Sequence, residues 1–128
     1  MAASSLRDIC FDCADQRRVA RFWADALGYV ARPPDPEDTE DDPIALNPPG
    51  GGLRIWFNRV PESKVVKNRV HIDINMPDDN ELERLRSLGA RVLREIRDDD
   101  GVLWWTIMAD PEGNEFCAFP PKEGALTP

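Results

Sequence analysis

The sequence predicts an α+β fold made of two tandem βαβββ units. Three observations carry this reading. A strand-like alternation followed by an amphipathic helical pattern occurs twice, over 6–27 and over 67–88. Each helical pattern stops at a glycine, Gly28 and Gly89. A glycine-bearing turn precedes the last strand of each half, before Trp56 and before Cys117. The matched features stand at a near-constant offset of about sixty residues, the mark of an internal repeat. One such unit cannot bury both faces of its sheet, so two packed together are the expected solution. The chain is read as one domain over 1–128, with unit one at about 1–62 and unit two at about 63–122.

The first unit opens on a run in which Ile9, Phe11 and Cys13 alternate with Asp8, Cys10 and Asp12, a strand with one apolar face. Asp15 offers an N-cap. Val19, Phe22, Trp23, Ala26 and Leu27 follow at helical spacing, and Gly28 suits the C-cap. The segment 32–52 is rich in Pro, Gly and acidic residues. It reads as a mobile acidic loop with a short extended piece at 44–46, the bland reading being a solvated connection and the sharper one a pocket lid. A strand over 53–60 closes the unit.

The second unit repeats the pattern. Val70, Ile72 and Ile74 alternate with His71, Asp73 and Asn75 over 67–76. Asn80 is placed as N-cap with Glu83 as its capping-box acid. Leu82, Leu85 and Leu88 point inward and Gly89 ends the helix. Strands are expected at 91–97 and 103–108 around a turn at 98–101. Residues 110–114 make a tight turn before the last strand, 115–119.

Composition narrows the function. A content of 41% hydrophobic and 31% charged residues fits a folded chain rather than a disordered one. The net charge of −8 opposes nucleic acid and anionic membranes as partners. No apolar stretch is long enough to span a bilayer. Three cysteines, an odd number, without a signal peptide predict a reducing, cytoplasmic setting. Cys10 and Cys13 have C-x-x-C spacing but sit on a strand, where residues three apart point to opposite faces. A shared metal is not expected there.

Four runs carry a resemblance to a known family. They are Arg21-Phe22-Trp23-Ala24-Asp25-Ala26-Leu27-Gly28, Lys67-Asn68-Arg69-Val70-His71-Ile72-Asp73-Ile74, Leu85-Arg86-Ser87-Leu88-Gly89-Ala90 and Asp110-Pro111-Glu112-Gly113-Asn114-Glu115-Phe116-Cys117. Through these the chain resembles the vicinal oxygen chelate superfamily of glyoxalase I, bleomycin-resistance proteins and extradiol dioxygenases. Within it, the chain is similar to the small glyoxalase-like domain proteins of actinobacteria. The resemblance implies that the two units form a curled mixed sheet around a concave pocket, and that the chain pairs as a homodimer. It also implies metal positions on the first and last strand of each unit, which fall here on Asp8, Trp56, His71 and Cys117.

Three of those four positions depart from the metal enzymes. His71 is the chain's one histidine and matches the pattern. Asp8 is an able substitute, Trp56 cannot ligate, and Cys117 stands where the enzymes have Glu. If a divalent metal (Zn, Ni, Mn or Fe) is bound, its donors are Asp8, His71 and Cys117, with the thiol favouring zinc. The leading expectation is a small organic ligand bound in a metal-poor aromatic pocket, as in bleomycin-resistance-like binding or sequestration. Trp56, Asp73, Trp105, Glu115 and Cys117 are its lining residues. Of Trp104 and Trp105 only one can line it, because neighbours on a strand point opposite ways. The other expectation is a lyase, isomerase or dioxygenase-like enzyme on a small oxygenated substrate, with His71 as general base and Asp8 as its partner. For His71 the bland alternative is a pocket-wall residue hydrogen-bonded to Asp73. For Cys117 it is a small buried hydrophobe.

Overall fold

A computed structural model of the chain describes residues 3–121. It contains β1 (Asp8–Cys13), α1 (Gln16–Leu27), β2 (Val30–Ala31), β3 (Ile44–Asn47), β4 (Arg54–Arg59), β5 (Ile72–Asn75), α2 (Glu81–Ser87), β6 (Arg91–Arg97), β7 (Leu103–Ala109) and β8 (Glu115–Phe119). The chain divides into two compact units, with the boundary between Lys64 and Val65. Each unit is one βαβββ motif with its own four-stranded sheet, ordered β1-β4-β3-β2 in the first and β5-β8-β7-β6 in the second. In both, the first strand runs parallel to the last, and the remaining ladders are antiparallel. The α+β class and the tandem repeat read from the sequence are therefore the architecture. No helix among the described residues is long and apolar enough to cross a membrane.

The first unit is built around α1, which packs on β1, β3 and β4. Asp15 caps it as expected, its carboxylate accepting from Arg18 N–H at 3.1 Å. Such a cap contributes about 1 kcal/mol. Val19, Phe22 and Trp23 are fully buried, and Phe11 meets the edge of Trp23 at 5.7 Å and Phe57 at 5.3 Å. A buried Val or Phe contributes roughly 1.5–3 kcal/mol, so this cluster is the main adhesive of the unit. Cys13 is buried while Cys10 is exposed, as their spacing on a strand demands.

The acidic loop is pinned at several points. The buried Gln16 donates its amide to the carbonyls of Glu40, at 2.7 Å, and Asp42, at 3.1 Å. Arg32 pairs with Asp35 and Asp38, and Arg59 with Asp41. Leu53 and Val60 fall outside β4, and the two-residue β2 was not foreseen. A strand that short leaves no period in the sequence.

The second unit departs from expectation in two places. The strand predicted from 67 starts at Ile72, and Val70 is 81% exposed. By the register His71 falls opposite Glu115, the first residue of β8, so residues before His71 have no β8 partner, and the ladder itself opens one residue later at Ile72. The capping box does not form. Asn80 is the N-cap residue but makes no side-chain cap bond, its N–H being held by the Asp78 carboxylate at 2.9 Å, and Glu83 pairs with Arg86 instead.

The tight turn at 110–114 is built on one side chain. The fully buried Asp110 accepts from Glu112 N–H, Asn114 N–H and the Asn114 amide, at 2.9, 3.0 and 2.9 Å. This turn also receives the end of α2. A Cβ placed on Gly89, whose φ is +117°, would lie 3.2 Å from Pro111 Cγ, whereas one on Gly28, at φ +70°, would meet nothing within 4 Å. The two helix-ending glycines are thus unequal. Gly28→Ala bears the backbone strain alone, about 1 kcal/mol, while Gly89→Ala adds a clash and should cost about 2 kcal/mol or more. Urea midpoints at constant slope measure both; equal midpoints would remove the Pro111 contact from the account.

Candidate functional site

The parallel pairing of β5 with β8 sets Asp73 beside Cys117. Residues alternate between faces along a strand, so His71, Asp73 and Cys117 share one face, and Ile72, Ile74, Phe116 and Ala118 the other. The second set belongs to the core side, where Phe116 and Ala118 are fully buried. On the first face the His71 Nε2 lies 3.3 Å from Asp73 Oδ1. One donor atom each from His71, Asp73 and Cys117 fall within 4.8 Å of one another. His71 and Asp73 are exposed and Cys117 is buried beneath them.

This setting governs the thiol. Burial pushes the Cys117 thiol above its ordinary value. The Asp73 carboxylate adds to this by its charge and by accepting the thiol's hydrogen bond, and Lys67 offsets part of it. Near neutral pH the group stays S–H, so it is not an activated nucleophile.

Glu115 is half-buried, and its Oε2 accepts from Asn68 N–H at 3.0 Å. That bond ties the chain before β5 to the start of β8. Further along the same face, the Trp105 ring lies 5.7 Å from Phe119 and is stacked on Trp104 at 6.2 Å. Together with Leu103 and Pro120 they line a recess of about 570 Å³. Both tryptophans therefore line it, against the expectation that only one could. The cause is a register shift. Ile96 pairs with Trp105 and Arg97 with Leu103, which leaves Trp104 as the extra residue of a bulge. A bulge breaks the strict alternation on which that expectation relied. Phe119 could have been found from the sequence, since it stands two residues after Cys117 and so shares its face.

In the first unit Asp8 and Trp56 pair with each other. The Trp56 indole N–H donates to Asp8 Oδ2 at 3.0 Å. Arg54 grips the same carboxylate through Nε and Nη2, at 3.3 and 3.4 Å. The guanidinium carbons of Arg54 and Arg32 lie 5.5 and 5.9 Å from the Trp56 ring, within cation–π range. The two units use one register. Cys10 pairs with Trp56 as Asp73 pairs with Cys117, so Asp8 and His71 occupy one repeated position. The chemistry on it differs: a carboxylate saturated by arginine and indole in one unit, an imidazole beside a carboxylate and a thiol in the other.

The model of the glyoxalase-like domain family matches residues 8–119. The chain belongs to this family. Solved structures share its fold. A fosfomycin resistance protein from Listeria monocytogenes, determined with Mn(II) and 1S,2S-dihydroxypropylphosphonic acid, superposes with a TM-score of 0.69 at 16% identity, over 92% of this chain and 90% of its own. An antibiotic binding protein from a Streptomyces species gives 0.64 at 18% identity, over 95% and 99%. A glyoxalase-related enzyme from Fulvimarina pelagi gives 0.65 at 17% identity, over 93% and 89%. Among curated proteins, none matches the chain.

The raised thiol makes a direct prediction. Asp73→Asn removes a negative charge from beside Cys117 and should lower its ionisation, so alkylation of Cys117 at pH 8 becomes faster than in the unaltered protein. Peptide mapping by mass spectrometry separates it from the exposed Cys10, which should react at an unchanged rate. An unaltered Cys117 rate would show that burial alone controls the thiol.

Proposed function

We propose that the protein binds a small, flat organic molecule by stacking it in the aromatic recess of the second unit. The observation that carries this reading is the recess itself, walled by Trp104, Trp105 and Phe119. Sites for small organic ligands are apolar and aromatic, with a few polar groups that fix orientation. Here those groups are Asp73 and Cys117. Cys117 lies two residues before Phe119, roughly 7 Å along the same strand face. Glu115 holds the chain at Asn68 and supports the polar end. Trp56 offers only its ring face, since its N–H is given to Asp8. The fold likeness to an antibiotic binding protein supports binding or sequestration as the outcome. The reading includes a homodimer, as the family resemblance implies, and a cytoplasmic setting, as the odd number of cysteines predicts.

Acid–base catalysis through Asp8 and His71 has less support. The Asp8 carboxylate accepts from Arg54 and Trp56, so it is already occupied.

Thermal denaturation in the presence of a chelator tests the binding reading. Planar aromatic compounds should raise the melting temperature through mass action. Trp105→Ala should then weaken the best compound by about 2 kcal/mol, roughly thirtyfold, as removal of a central aromatic contact does. A compound library with no stabilising member, or binding indifferent to both Trp105→Ala and Phe119→Ala, would end this reading.

A further inference from the structure

We infer, resting on the stacking reading above, that the molecule in the recess is a planar aromatic acid whose carboxylate is held by Arg94 at the edge of the second sheet. The register defines which side chains of each strand face the ligand. Between β8 and β7, Cys117 stands opposite Ile107 and Glu115 opposite Ala109. Between β7 and β6, Ile107 stands opposite Arg94, Ala109 opposite Arg91 and Trp105 opposite Ile96. Directly opposed residues share a face, so Arg91, Arg94 and Ile96 lie on the face that carries Cys117, Trp105 and Phe119. One row across the sheet runs Asp73, Cys117, Ile107, Arg94. The next holds Phe119, Trp105 and Ile96, with the two rings 5.7 Å apart. Strict alternation over 91–94 would put Arg91 and Arg94 on opposite faces. The register shift between Val92 and Arg94 brings them to the same one.

The cations on this face are unanswered. Lys and Arg number 16 against 24 Asp and Glu, so acids to pair with are in excess. Glu95 stands opposite Thr106, on the other face, and pairs there with Arg97 at 2.9 Å. Arg91 and Arg94 are exposed, and among the described residues neither side chain has a hydrogen bond or ion pair. Strand spacing puts the Glu115 backbone about 10 Å from that of Arg91, and Asp73 about 14 Å from Arg94. Salt screens exposed charges over about 8–10 Å, so these acids leave the arginines available. Arg94 is one strand and one row from Trp105, about 8 Å between backbones, within reach of its extended side chain. A ring lying on Trp105 and Phe119 thus directs an edge substituent at this guanidinium. The arginine fork matches a carboxylate with two parallel hydrogen bonds and repels a cation. Arg91 stands about 7 Å further along the edge and adds to the positive potential there.

The probes are 2-naphthoate and its uncharged counterpart 2-naphthamide, titrated into the full chain in chelator and followed by calorimetry. Naphthoate should bind roughly tenfold tighter, the gain of a charge-assisted pair. That difference should shrink as salt rises. Arg94→Gln should erase the difference by weakening naphthoate. Arg94→Lys should keep part of it, since lysine holds the charge without the fork. Arg94 is exposed, so circular dichroism of both variants should match the unaltered chain and keep misfolding out of the comparison. Equal affinities for the two compounds, a preference that survives Arg94→Gln, or naphthoate that does not bind would overturn the inference. The stacking reading is decided separately, by uncharged planar compounds and Trp105→Ala, so the two failures are told apart.

Discussion

In each unit the first strand pairs with the last, in parallel, and the rest of the unit hangs on that contact. A parallel pair cannot be closed by a hairpin, so everything between its strands must form a crossover. In the first unit the crossover is α1, β2, the acidic loop and β3, before β4 returns to β1. In the second it is α2 and the β6–β7 hairpin, before β8 returns to β5. The pairing brings side by side residues that are remote in the chain, such as Asp73 and Cys117. It also explains why the turn at 110–114 is so heavily bonded. That turn delivers β8 to its place, and the fully buried Asp110 fixes its course while Pro111 meets the end of α2.

The same register in two units allows one position to be compared under two chemistries. At Asp8 the charge is answered within its own unit: Arg54 approaches both oxygens, and the Trp56 N–H takes the remaining direction. A carboxylate held in this way organises a sheet edge. At His71 the neighbours are a carboxylate and a thiol, both able to carry negative charge. Lys67 is the cation whose influence reaches Cys117, and it offsets the effect only in part. The repeat has thus kept its scaffold and diverged in what it presents, which is how one fold comes to host many functions.

Much of this was legible in the sequence. The helix α1, its Asp15 cap and its Gly28 end follow from local chemistry, and so do the glycine at the end of α2 and the tight turn before β8. The face shared by His71, Asp73 and Cys117 follows from strand period once the first and last strands are known to pair. What escaped depends on partners. The absence of strand over 67–70 follows from β8 beginning at Glu115, opposite His71, and the failure of the Asn80–Glu83 box from Asp78 reaching the N–H first. The bulge at Trp104 arises from a register shift between β6 and β7 that no single strand encodes.

The Cys117 environment separates the chemistries open to this face. A nucleophilic cysteine needs a neighbour that stabilises its anion, and here the neighbour is Asp73, which would set two negative charges together on ionisation. Burial presses in the same direction. Covalent catalysis is therefore disfavoured by the two leading influences on the thiol. On the same sheet face stand His71 and, further along, the aromatic pair Trp105 and Phe119, so the polar and the apolar side chains of this face are segregated along the strands.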